Sequence, residues 1–170
     1  TADGLAAPDL SRTGYGRGVP MGADLTGSGR APTMLIEAMR DPDGANLDRI
    51  QIVKGWVGAD GVTHEKVYDV AWSGNRRLGR HGRLPPVGNT VRGASYRNSI
   101  GAPVLNGYWS DPDYSPGQRA FYYARVLEIP TPTWLAYDTV QLGTRQLPAD
   151  ARLIQQERAY GSPIWVGGNH

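Results

Sequence analysis

The sequence contains no cysteine among its 170 residues. This absence excludes disulfides and thiolate metal sites, but it does not identify a compartment. No run approaches the roughly 18 apolar residues of a membrane-spanning helix, so no membrane span is expected. The formal net charge is only +2, which does not indicate a nucleic-acid partner or a polybasic membrane contact. Enzymes, binding modules and structural domains remain as the classes of function to weigh.

Phenylalanine is also scarce, with a single copy beside 5 Trp and 9 Tyr. Most large aromatic side chains therefore carry a polar tip, which suits half-buried sheet faces or exposed platforms. Glycine (23) and proline (13) are abundant and separate short apolar runs. This pattern favours many short strands joined by turns over long helices.

Segments with the apolar pattern of strands recur along the chain, while no segment has a convincing helical pattern. The predicted strands are 32–40, 47–57, 65–72, 100–109, 119–129 and 154–166. We expect a hairpin turn at "ADG", 59–61, and a long surface connection over 73–98. The sequence predicts an all-β fold, an antiparallel, immunoglobulin-like β-sandwich over 32–170. Residues 1–31 are expected to form an irregular lead-in that packs on this domain or on a separate N-terminal domain.

The final predicted strand contains the segment "ERAYGSPIWV", residues 157–166. Its apolar ending has to be covered by other parts of the protein. Because proline cannot donate to a strand ladder, Pro163 places this segment at a sheet edge or a strand start. We expect Ile164, Trp165 and Val166 to complete the core.

One candidate for a metal site is the loop "DPDGANLD". Calcium takes several oxygen ligands from a tight loop, and Gly44 would let the backbone bend around the ion. The candidate ligands are Asp41, Asp43, Asn46 and Asp48. Their spacing does not match the twelve-residue calcium loop, and the final bidentate Glu is absent. The alternative is a connection whose polar side chains cap their own backbone amides.

The sequence offers no local catalytic motif. It has no G-x-S-x-G elbow, phosphate-binding loop or dinucleotide fingerprint. His64, His81 and His170 do not have the spacing of a zinc site. We therefore assign no catalytic residue and expect no cofactor in this chain. A small stand-alone hydrolase would require His64 and an acid to converge in space, with or without His81.

Two further groups of residues suggest binding. Six arginines and no acid lie between Asn75 and Ser99; they could hold phosphate, sulfate or a carboxylate, or could simply make a solvated loop. Exposed Trp and Tyr rings could stack on the apolar faces of sugars, or could belong to core and rim. The carbohydrate hypothesis predicts a contiguous row of exposed rings.

Several long motifs together carry a family resemblance over Gly14 to Val166. They are "GVPMGADL", "DPDGANLDRIQIVKGWV", "HEKVYDVAW", "PPVGNTV", "WSDPDYSPGQRAFYYARVLEIPTPTW" and "QERAYGSPIWV". The chain resembles the C-terminal part of bacterial proteins grouped as the domain-of-unknown-function family DUF3604. Gly161 stands where the resemblance leads us to expect Thr, and Thr133 where it leads us to expect Arg.

The resemblance implies a non-catalytic C-terminal domain of a larger, periplasmic or secreted protein. The N-terminal part of such proteins resembles the polymerase-and-histidinol-phosphatase (PHP) class of metal-dependent hydrolases. The implied partner is that catalytic part, where a divalent metal is expected; no metal ligand or catalytic residue carries over to this chain. If this chain borders a site there, we expect the "GVPMGADL" loop to do so, through Met21 and Asp24.

Overall fold

The computed structural model describes residues 10–26, 29–143 and 146–167. Strands dominate it, and this confirms the predicted all-β, sandwich-like fold. Along the chain lie α1 (Leu10–Arg17), β1 (Asp24–Leu25), β2 (Thr33–Met39), β3 (Leu47–Val57), β4 (Thr63–Trp72), β5 (Val104–Ser110), β6 (Ala120–Glu128), β7 (Thr131–Pro132), α2 (Trp134–Leu142), β8 (Ile154–Gln155), β9 (Arg158–Tyr160) and β10 (Ile164–Val166).

The larger layer is a six-stranded sheet in the order β1-β10-β6-β3-β4, with β9 also paired to β6. The long central strand β3 pairs antiparallel with β4 on one side and β6 on the other. The β3–β4 connection is the predicted hairpin, in which Gly61 adopts a φ of 78°. A side chain is disfavoured in that left-handed region, which explains glycine at this position of the turn.

The smaller layer pairs β2 with β5 and covers one face of the larger sheet. Alternation along β2 and β3 points apolar side chains into the space between the layers. One core cluster is built from Met34, Ile52, Ala120, Tyr122 and Val166, and a second from Leu47, Ile50 and Leu105. The sandwich is therefore unequal, with a two-stranded sheet on a six-stranded one.

The closing segment runs along β6 as an interrupted strand. Both β9 and β10 pair antiparallel with β6, and between them the amide of Gly161 donates to the carbonyl of Ala124 at 2.9 Å. Pro163 directly precedes β10, as expected for a strand start. Because β1 pairs with the other side of β10, β10 is not an edge strand. Val166 is buried as predicted, but Trp165 is 50% exposed, so the prediction that Trp165 completes the core is wrong.

The helices α1 and α2 contradict the expectation of a chain without helices. Thr133 caps α2, since its hydroxyl accepts from the amide of Ala136, and Gly143 ends the helix with a φ of 65°. Within the predicted irregular lead-in, β1 adds a strand to the larger sheet. Neither helix in the described part of the chain is long and apolar enough to cross a bilayer.

Candidate functional site

A cleft of about 1290 Å³ lies at the hairpin end of the larger sheet. The end of β3, the start of β4 and the loop before β6 form its walls, together with β1 and β10. Its lining is both aromatic and charged, and includes Asp24, Trp56, His64, Glu65, Arg119 and Trp165. This cleft is our candidate functional site, because it brings aromatic and charged side chains together at one end of the sheet.

One wall of the cleft is a stacked pair of rings. Trp56 and His64 are opposite residues of β3 and β4, their ring centroids lie 5.2 Å apart, and their planes differ by 16°. Trp56 also packs against the first core cluster, so the core holds this ring in place while His64 stays exposed. The stack therefore gives the cleft a wall in which the core holds the Trp56 ring in place.

A row of aromatic rings continues from the cleft across the outer face of the larger sheet. We call Trp165, Phe121, Tyr123 and Tyr160 the aromatic row. Successive ring centroids lie 5.2, 6.3 and 6.2 Å apart. Trp165 and Tyr160 are 50% and 59% exposed, while the two rings between them are half-buried. Phe121 and Trp165 also line the cleft, so the row and the cleft form one continuous surface.

A glycine allows the ring of Phe121 to lie across β3. Gly55 is the residue opposite Phe121, and a Cβ atom built at Gly55 would lie 2.3 Å from Cζ of that ring. A side chain at this position would have to displace the ring, so the ring covers the backbone of Gly55 only because this residue is glycine.

Behind the cleft, a buried ion pair joins the two layers. Nζ of Lys54 on β3 lies 2.6 Å from Oδ2 of Asp111, which follows β5. Tyr122 donates its hydroxyl to the same carboxylate oxygen at 2.7 Å, and Lys54 also donates to the carbonyl of Asp113. Burial, and then the hydrogen bond to Asp111, raise the pKa of Tyr122. The Tyr122 hydroxyl is therefore held as a donor.

The second carboxylate of this loop, Asp113, forms an exposed continuation of the network. It accepts from Lys66 and from the hydroxyl of Tyr68 at 2.7 Å. The hydrogen bond from Lys66, followed by that from Tyr68, holds the pKa of Asp113 below its ordinary value. Burial, together with the bond to Asp113, raises the pKa of Tyr68. The loop after β5 is thus tied to β3, β4 and β6.

The predicted calcium ligands have other partners. Asp48 is buried, and its carboxylate lies 2.6 Å from Nη2 of Arg76 and 3.0 Å from Nε of Arg49. Gln156 donates to the same carboxylate at 3.0 Å. Among the described residues, no donor is aimed at Oδ1 of Asp48 as a hydrogen bond, so the contact with Arg76 is an electrostatic one.

The rest of that loop is occupied by contacts with its own backbone and with the connection at 98–100. Asp41 accepts from the amide of Asp43 at 2.9 Å, which matches the capping alternative. The side-chain amide of Asn46 donates to the carbonyls of Asn98 and Ile100. The calcium site stays a prediction that these contacts do not support.

The loop of Met21 and Asp24 meets the cleft of this chain; its expected place at the active-site mouth of a separate catalytic domain stays a prediction. Asp24 lines it and lies opposite Trp165 in the parallel β1–β10 pair. Met21 is 66% exposed, with its sulfur directed at the space beside Gly161. The structure therefore brings Asp24, but not Met21, together with the cleft residues.

The predicted histidines do not build a metal site in the described residues. His64 lines the cleft, and His81 is exposed in the arginine-rich connection; His170 lies outside the described residues. Residues 10–26, 29–143 and 146–167 contain no group of three or more His, Asp or Glu residues that could hold a metal ion.

The arginine-rich connection is irregular, as predicted, but one of its arginines is structural. Arg76 donates to the backbone carbonyls of Ser73, Asp48 and Pro85 and pairs with the carboxylate of Asp48. The other arginines are exposed: Arg77, Arg80, Arg83, Arg92 and Arg97.

Sequence reasoning missed the buried Lys54–Asp111 pair because its members lie 57 residues apart. A usable signal was present: Lys54 follows Ile50 and Ile52 at the two-residue spacing of the inward face of β3. A lysine in that position needs a buried partner.

Comparison with known proteins gives a single positive finding. No curated protein and no solved structure matches the chain. The model of one family does match, over residues 1–168, and this range includes all the described elements and the whole lining of the cleft. The chain therefore belongs to the family described as protein of unknown function DUF3604.

Proposed function

We propose that this chain is a non-catalytic β-sandwich domain of a larger protein, and that it docks through α2 on a PHP-like, metal-dependent hydrolase domain of the same protein. The divalent metal and the catalytic residues belong to that other domain. Membership of the DUF3604 family supports the domain assignment, and the resemblance of the motifs supports the hydrolase partner. The same resemblance suggests a periplasmic or secreted protein.

The outer face of α2 carries this proposal. The four residues Trp134, Tyr137, Val140 and Leu142 are 72%, 44%, 64% and 75% exposed. On the inner side, Ala136 is buried. The helix has one charged residue, Asp138. Apolar residues spaced around the exposed side of a short helix form the kind of patch that a protein partner covers.

The ionisable groups in the interior support a structural role. Lys54 and Asp111 join the two layers, and Asp48 fastens the arginine-rich connection through Arg76. Asp69 accepts from Gln51 and from the amide of Leu84. These side chains stabilise the sandwich and its long loops, as expected for a domain that supports a neighbour.

The proposal also assigns a place to the loop of Met21 and Asp24. Both would border the mouth of the catalytic domain, where the exposed side chain of Met21 can contact a neighbour. A structure of the complete protein in which both residues are distant from every metal-binding residue would contradict this assignment.

Hydrogen exchange tests the docking surface. We expect the amides of α2 to exchange more slowly in the complete gene product than in the 170-residue chain, because the partner domain covers the helix. Replacing Trp134 and Val140 by serine should remove this difference. Met39→Ser, at a residue that is 76% exposed on the other sheet, is the matched control and should leave it intact.

Equal exchange of α2 in the two proteins would count against the docking proposal. Metal analysis tests the hydrolase part separately. The complete gene product should retain a divalent metal and the 170-residue chain should not. A complete product without bound metal, or metal retained by this chain alone, would contradict that part.

A further inference from the structure

We propose that the aromatic row and the adjoining cleft bind a neutral polysaccharide whose sugar rings present apolar C–H faces. This surface lies on the outer face of the larger sheet and at its hairpin end. None of its residues belongs to the exposed face of α2, so the inference does not depend on docking through that helix. Asp24 is common to this cleft and to the loop that the proposed function places beside the catalytic domain.

The first argument is the arrangement of the rings. The planes of Phe121 and Tyr123 differ by only 9°, so the two rings present their faces in the same direction. Trp165 and Tyr160 lie at the two ends of the row and are the most exposed of its members. The plane of Trp165 is tilted by 55° from that of Phe121, and the plane of Tyr160 by 45° from that of Tyr123. The four rings in sequence therefore match an extended, twisted chain of sugars better than one small ligand, because successive sugar faces can stack on successive rings.

The second argument is that the row is fixed before any ligand binds. The Phe121 ring is held over Gly55. Val53 lies opposite Tyr123 on β3. It is almost fully buried, so the outer face beneath the row is closely packed. Rings mounted on paired strands lose little conformational freedom on binding, which lowers the entropic cost of association.

The third argument is the polar groups beside the row. Arg125 is opposite Tyr160, and its Nε donates to Gln51 at 2.8 Å, which orients the guanidinium. At the other end, the cleft contributes Asp24, Glu65 and Arg119. Carboxylates accept from sugar hydroxyls and guanidinium groups donate to them. The presence of both signs of charge favours a neutral glycan over an acidic one.

Affinity electrophoresis of the folded 170-residue chain tests this inference, with hydroxyethyl cellulose, xylan and glucomannan as the gel-borne probes. We expect at least one of these polysaccharides to retard the chain. Trp165→Ala and Tyr160→Ala should each weaken that retardation at least about tenfold, since an anchoring ring at a binding surface contributes more than about 1.4 kcal/mol.

Trp134→Ala is the matched control. It removes an aromatic ring of similar exposure from α2, and it should leave the retardation unchanged. Near-ultraviolet circular dichroism of each variant identifies any loss of fold, and Tyr160→Leu, which keeps an apolar side chain, provides a second test if Tyr160→Ala unfolds.

Three results would overturn the inference. One is the absence of retardation on all three probes. Another is retardation that the Trp165 and Tyr160 variants leave intact. The third is slow hydrogen exchange of β9 and β10 in the complete gene product compared with this chain, because it would assign the aromatic row to a protein contact.

Discussion

The ammonium group of Lys54 lies 2.6 Å from the carboxylate of Asp111, and the two side chains are 2% and 0% exposed. The pair connects the central strand of the larger sheet to the segment that follows the smaller one. Each charge is desolvated by the sandwich and depends on the other for compensation. The hydroxyl of Tyr122 adds a third member.

Breaking this pair should destabilise the domain strongly. We expect Lys54→Met or Asp111→Asn to lower the free energy of unfolding by about 3–5 kcal/mol, because each leaves one charge buried without its partner. Urea unfolding followed by tryptophan fluorescence measures the loss. The double variant leaves no buried charge, so it should cost about 1–3 kcal/mol less than the sum of the single changes. Additive costs would contradict the pairing.

The hydrogen bonds that Asp113 accepts should make the stability of the domain depend on pH in the acidic range. Its pKa is lower in the folded chain than its ordinary value of 3.8, so the carboxylate stabilises the fold above that pH. This contribution disappears as the pH falls through the lowered pKa. The difference in urea midpoint between the native chain and Asp113→Asn should therefore be constant near neutrality and shrink below about pH 4.

The side chains of Asp113 and Lys66 are both 49% exposed, so added salt offers a control for that prediction. Raising the ionic strength to about 1 M, where the Debye length is about 3 Å, should reduce the difference between the two proteins at neutral pH. If the difference in urea midpoint between the native chain and Asp113→Asn grows on acidification, the Asp113 carboxylate does not stabilise the fold in the way we predict.

Gly55 should not tolerate a side chain. The Cβ of Gly55→Ala would meet the ring of Phe121, and we expect a loss of about 1–3 kcal/mol through overpacking. Gly107→Ala is the control, since its Cβ would meet only ordinary contacts of 3.5 Å or more; it should cost less than about 1 kcal/mol. Combining Gly55→Ala with Phe121→Leu should recover part of the lost stability. Thermal unfolding measures all three variants.

Arg76 and Arg77 are adjacent but should behave differently. Arg76→Met leaves the buried Asp48 carboxylate with fewer partners and should cost about 1–3 kcal/mol. Arg77 is exposed, and Arg77→Met should change stability by less than about 0.5 kcal/mol. Hydrogen exchange over 73–98 should accelerate only in the first variant. Equal effects would show that Arg76 does not fasten the connection.

The long strands of the two layers were predictable from sequence, because alternation along a strand shows which of its faces is buried; the two-residue strand β1 was not. The predicted strand 47–57 has the same first and last residues as β3, and the predicted strand 119–129 extends one residue beyond β6 at each end. The interruption of the last predicted strand into β8, β9 and β10 was not expected. β8 pairs with β7 instead of β6, and between β9 and β10 the three residues 161–163 lie opposite only two residues of β6, 123 and 124. No local pattern records these pairings.

The helix α2 was missed for a different reason. Thr133 and Gly143 are typical capping residues, yet the apolar side chains between them point outward, so they do not repeat with the period of a core-facing helix. The cleft was beyond sequence reasoning as well. Asp24, His64 and Trp165 meet there through strand pairing across most of the chain, whereas a motif records only near neighbours.

The parallel pairing of β1 with β10 has a consequence for biosynthesis. Asp24 aligns with Trp165. The strand β1 is therefore synthesised early but can join the sheet only after β10, the last described strand, has been made. Val166, which closes the first core cluster, arrives at the same time. While the protein is being translated, the inner face of the sheet stays incomplete and its edge unpaired. A nascent chain of this kind is vulnerable to aggregation until residues 164–166 have left the ribosome.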